Sequence, residues 1–139
     1  MWMNRRRLLS VSFAVAALSL AGCSSEARDA IEDDTRSAVS DAARDAAEVT
    51  ARNLATNQGG EAFADAGHPI SGELSCQAVV EGALSEVAVT CTGMTAAGGA
   101  AVLSGRTSEL PGRSVVELNG SFVGTVDGAE VFSTDQLGG

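Results

Sequence analysis

The chain has 139 residues, with 18 acidic and nine basic side chains, 45% hydrophobic residues and only 4% aromatic ones. That length holds one domain and excludes a second full one. A net charge of −9 argues against nucleic acid as a partner, because a surface that neutralises phosphates must supply positive charge.

Residues 1–23 have the layout of a secretory signal. Arg5, Arg6 and Arg7 form a positive start, Leu8–Leu20 is an uncharged apolar run, and small residues lead to Cys23. Spanning a bilayer takes about 20 apolar residues, and the run from Leu8 to Gly22 has 15, which is short for a retained membrane helix.

The four residues Leu20-Ala21-Gly22-Cys23 resemble the lipobox of bacterial lipoprotein precursors. The resemblance implies that the Cys23 thiol receives a diacylglyceryl group and that cleavage falls between Gly22 and Cys23, so that 1–22 is a signal peptide. It also implies a protein held to the cell membrane through Cys23 on the extracytoplasmic side, since two or more acyl chains anchor stably. All 18 acids follow Cys23 and three of the nine arginines precede it, so the processed chain would carry −12. Such a charge favours solubility and repels an anionic membrane surface, leaving attachment to the lipid.

From 26 to 58 the chain is rich in Ala, Asp, Glu and Arg and lacks Pro and Gly, so the composition predicts helix. Glu32 with Arg36 and Glu48 with Arg52 are acid-first i,i+4 pairs. Gly59 and Gly60 weaken the helix, and Gly67-His68-Pro69 supplies a stop. The expectation is one long helix from about 27 to 66, breakable at Gly59. Forty residues of helix extend about 60 Å, and a strand of seven or eight residues only about 25 Å. Val49, Leu54, Ala55, Ala62 and Phe63 are therefore the expected packing face, and the acidic residues 23–48 a stalk, or equally a disordered tether, outside a small domain at 49–139.

Cys76 and Cys91 make an even pair in an exported chain, which points to a disulfide. Leu74, Cys76, Ala78 and Val80 alternate with Ser75, Gln77 and Glu81, while Val87, Val89 and Cys91 alternate with Ala88, Thr90 and Thr92. Placing Cys76 opposite Cys91 in an antiparallel hairpin also sets Ala78 against Val89 and Val80 against Val87. The pair lacks redox C-x-x-C spacing, and His68 is the only other soft donor, so no metal site is expected.

The candidate strands are 72–80, 86–93, 99–107, 114–126 and 129–134, divided by Glu81-Gly82, Gly98-Gly99 and Leu110-Pro111-Gly112. Asp127-Gly128 reads as a type I′ hairpin turn. That register puts Val116, Leu118, Phe122, Val126 and Val131 on one face and Val79, Val115, Val123 and Phe132 on the other. Asn119-Gly120 offers an alternative turn inside the fourth strand. The outer four are either ordinary exposed apolar residues or, if clustered, a partner-binding patch.

The residues give no support for catalysis. His68 sits in a loop between a capping Gly and a Pro, no G-x-S-x-G elbow is present, and Gly98-Gly99 lacks the Lys-Ser/Thr of a phosphate loop. Asp33 and Asp34 diverge around a solvated helix. No enzymatic activity and no cofactor are expected.

The fold expected is α+β, a long N-terminal helix on a four- to five-stranded antiparallel meander with one disulfide. Over roughly residues 50–137 this pattern resembles the small lipoprotein domains of unknown function found in high-GC Gram-positive bacteria, and nine Arg against no Lys fits such a genome. Two functions fit: an envelope-anchored module that binds a protein partner through the outer sheet face or the loops near Pro111, or a carrier or sensor of a small apolar ligand held between helix and sheet. Inhibition of a hydrolase by a protruding 108–113 loop is a special case of the first.

Overall fold

The computed structural model describes residues 25–112 and 116–139. One helix, α1 (Ser25–Asp65), precedes five strands, β1 (Ser75–Glu81), β2 (Glu86–Met94), β3 (Ala100–Thr107), β4 (Glu117–Val126) and β5 (Ala129–Gly138). The strands form one antiparallel sheet in chain order, so the architecture is the expected α+β meander, with β1 and β5 as its edges. The helix ends as Gly67-His68-Pro69 predicts. Gly67 takes φ +86°, and His68 N–H donates to Phe63 O at 2.8 Å, the long bond of a Schellman cap.

α1 is unbroken at Gly59, and the reason is packing. Ala47, Ala51, Ala55, Gly59 and Phe63 recur every four residues as a buried stripe on the sheet. A Cβ on Gly59 would lie 2.6 Å from Leu103 Cδ2 and 3.0 Å from Leu74 Cδ1, so only Gly lets the helix sit this close. The stripe corrects the expected packing face: Ala55 and Phe63 are buried and Leu54 and Ala62 partly so, but Val49 is 44% exposed. Val49 lies about 200° around the helix from both Ala47 and Ala51.

The helix passes from one edge of the sheet to the other. At its start, the Glu48 carboxylate accepts a hydrogen bond from Val80 N–H on β1 at 2.9 Å, which occupies a donor of an edge strand. At its end, Phe63 meets Phe132 of β5 edge-on, with ring centroids 5.0 Å apart. From Ala47 to Phe63 the helix rises about 24 Å, enough to cross five strands spaced about 4.8 Å apart. Packing thus begins at Ala47, two residues before the expected boundary. Upstream, residues 31–45 are helical and bury no side chain, and Arg36 pairs with Asp33 at 3.6 Å rather than with Glu32.

The β1–β2 register is as expected: Cys76 faces Cys91, Ala78 faces Val89 and Val80 faces Val87. The two cysteines are joined, closing a 15-residue separation, for which chain-entropy models give about 3 kcal/mol of stabilisation. Beyond β3, Asp127 and Gly128 both have positive φ, 50° and 82°, as a type I′ turn requires. Asp127 also ties the hairpin to the start of β3, accepting from Ala100 N–H at Oδ1 (2.9 Å) and donating its own N–H to Ala100 O (2.8 Å).

β4 and β5 depart from simple alternation. Thr125 faces Glu130 while Gly124 faces Phe132, so Val131 is an extra residue on β5. A second irregularity sets Gly120 and Ser121 of β4 against Asp135 alone. Each bulge inverts which residues face the core. β5 therefore runs on to Gly138 instead of stopping at 134, with Leu137 buried opposite Leu118, and Asn119-Gly120 stays within β4 rather than turning. Phe122, Leu103, Leu118, Leu137, Val87, Val89 and Cys91 fill the core under the helix with Phe63.

Candidate functional site

The expected lipidation and cleavage residues, Cys23 and Gly22, lie outside the described residues, as does Val115. Cys76 and Cys91 face the helix side of the sheet, and Cys91 is fully buried. The bridge is thus a clamp inside the core, out of reach of solvent partners.

The outer patch is not assembled. Val79 is 57% exposed on edge strand β1, and Val123 is half-buried on β4, with β2 and β3 between them. At about 4.8 Å per strand they stand some 14 Å apart across the sheet. The surface between them carries Ala88, Thr90, Ser104, Arg106 and Ser121. At one end of this face Arg106 bridges Glu81 at 2.8 Å and approaches Glu86 at 3.9 Å. Phe132 belongs to the opposite face altogether. The Val131 bulge turns its ring onto the helix, where it packs on Phe63 and covers Gly124, whose absent Cβ would fall against the ring.

That inversion builds a different feature. The last two turns of α1 and β5, an edge strand among the described residues, enclose a groove of about 500 Å³ that opens to solvent. Glu61 and Asp65 line it from the helix, and Val131 and Phe132 line it from the strand. Gln136 ties one end of it. The Gln136 Nε2 amide donates to Glu117 Oε2 at 2.7 Å and to Gly138 O at 3.1 Å. The Thr134 hydroxyl donates to Gln136 O at 2.8 Å and accepts from Gln136 N–H at 3.2 Å, so it closes that part of the sheet edge. Sequence reasoning missed this groove because it had Phe132 facing away. The one legible signal was the pair Glu61 and Asp65, two acids in the last turns of a helix.

A smaller concavity of about 380 Å³ lies by the β3–β4 connection, where Leu110, Pro111 and Val116 meet Leu118. Between helix and sheet, Gly59, Leu103 and Leu74 are in close contact. Among the described residues no three His, Cys, Asp or Glu side chains group as metal ligands, and no helix is long and apolar enough to cross a membrane. No protein-family model, curated protein or solved structure matches the chain.

Proposed function

We propose that the chain is a lipid-anchored protein of the cell envelope, facing outward from the membrane, that acts as a non-catalytic protein-interaction module. The observation that carries this reading is the spacing between anchor and domain. α1 begins two residues after Cys23, and its first 22 residues, up to Ala46, precede the packed stripe. At 1.5 Å per residue they would hold the domain about 33 Å from the acyl chains. A charge of −12 on the processed chain would add repulsion from anionic lipid. A domain displayed in this way is suited to meeting a partner rather than to working on the bilayer.

The carrier alternative needs a cavity between helix and sheet. Close contact of Gly59 with Leu103 and Leu74 weighs against one, and so does the opening of the grooves to solvent. Cys23→Ala tests the anchor. The variant is expected to leave the membrane fraction or to accumulate as uncleaved precursor, with loss of fatty-acid labelling. Labelling equal to that of the unaltered protein would refute the lipobox.

A further inference from the structure

The groove between α1 and β5 gathers features that local physics disfavours in a free protein. Glu61 and Asp65 stand four residues apart on one helix face, where like charges repel. They lie in the last turns of α1, where the helix dipole presents its negative end and favours cations, yet no basic residue occupies the last turn. Neither carboxylate forms an ion pair among the described residues, whose salt bridges all lie elsewhere, at Arg36 and Arg106. Beside them lies Phe132, the one described aromatic ring that is not fully buried, placed there by a bulge. Bulges commonly re-aim side chains next to functional sites. The Phe132 ring is held from below by Phe63 and Gly124, but the two carboxylates break local rules with no compensating partner among the described residues, and that marks a site whose compensation comes from outside.

We propose that this groove docks a cationic segment of a partner protein. An Arg or Lys charge meets Glu61 and Asp65 and answers the helix dipole, while its aliphatic stem lies on Val131 and Phe132. A long basic side chain matches this pairing of two apolar side chains with two carboxylates in an otherwise polar groove, since its methylenes bury readily and its head seeks carboxylate. The flat face of Phe adds attraction for a cation. The surrounding negative charge of the chain would steer such a segment inward. This docking mode rests on the interaction-module reading and gives it a surface and a partner chemistry.

The test uses the full lipidated chain in detergent micelles and a fluorescein-labelled pentapeptide alternating Arg and Leu, read by anisotropy. The control peptide carries Glu in place of each Arg. Saturable binding of the basic peptide alone is expected, weakening as salt is raised. The double variant Glu61→Gln with Asp65→Asn should lower affinity about five- to tenfold, inside the range that two exposed ion pairs span, with an unchanged or raised thermal midpoint. Glu73→Gln with Glu109→Gln removes equal charge outside the groove and should leave affinity within about twofold. Equal weakening by both pairs would reduce the effect to net charge and overturn the proposal, as would the absence of saturable binding. A dimer that dissociates on substituting Glu61 and Asp65 would place a second copy in the groove and overturn it as well. Failure here is distinct from failure of the anchored-module reading, which Cys23→Ala addresses through membrane attachment.

Discussion

The two halves of α1 are one continuous helix, and only one of them is packed. Residues 25–46 carry ten charged side chains in 22 positions, and Ile31 and Val39 remain 66% and 64% exposed. Residues 47–65 carry four charges in 19 positions, together with Thr50, Asn53, Thr56, Asn57, Gly59 and Gly60, all poorer helix formers than Ala. Yet the second half holds the buried stripe, and residues 31–46 bury no side chain. Intrinsic propensity differs little between the halves apart from Gly59 and Gly60, since five Asp, three Ser and Thr35 weaken the first half too, so what separates them is tertiary packing. Most helical stability in proteins comes from a packed face, and here packed and unpacked helix share a single rod.

The comparison breaks most sharply at Phe63. This side chain is fully buried and closes the stripe against Phe132. Phe63→Ala should cost about 3–5 kcal/mol, a large share of the roughly 5–15 kcal/mol that stabilises a domain. Chemical denaturation would read it as a marked fall in midpoint with little change in slope. A loss below about 1 kcal/mol would mean that the packed half does not depend on its stripe.

Two adjacent glycines sharpen the same contrast. A Cβ at Gly60 meets nothing within 4 Å, whereas at Gly59 it meets Leu103 and Leu74. Gly60→Ala should therefore stabilise by about 0.5–1 kcal/mol, the ordinary gain from replacing a helical Gly. Gly59→Ala makes the same helix gain and loses more to overpacking of about 1–3 kcal/mol, for a net destabilisation of about 1 kcal/mol. Thermal melts of the two variants should move in opposite directions. Movement in the same direction would show that the helix does not press on Leu103.

These residues also show which parts of the structure were legible beforehand. The β1–β2 register could be read because every step of Cys76, Ala78 and Val80 has an apolar answer in Cys91, Val89 and Val87. The β4–β5 register could not, because alternation assumes one residue per pairing step and Val131 breaks that count. The same slip hid the groove, since it sent Phe132 to the wrong side. On the helix, hydrophobicity favoured Val49 as a packing residue, while close approach to the sheet selected Ala47, Ala51 and Gly59 for their small size. Small-residue stripes carry little hydrophobic signal, so period and partner must be known before they can be recognised.

The smallest expected effect on overall stability lies in the exposed half, and it separates the two halves most cleanly. Hydrogen exchange reports local opening, which ranges from nearly free at fraying ends to global unfolding in packed cores. Amides from Ala47 to Phe63 should exchange only as the domain unfolds, because releasing them requires lifting the stripe off the sheet. Amides of residues 31–45 need only local helix opening, resisted by propensity and pairs such as Arg36 with Asp33, each worth about 0.2–0.5 kcal/mol. Protection should therefore fall steeply between Ala47 and Asp45 within one unbroken helix. Replacing Ala38 and Ala42 with Gly, at about 1 kcal/mol of local helix propensity each, should abolish what protection the exposed half has and leave the melting midpoint of the domain unchanged. Equal protection on both sides of Ala47 would show that the exposed half is also packed, against a partner that covers Ile31 and Val39.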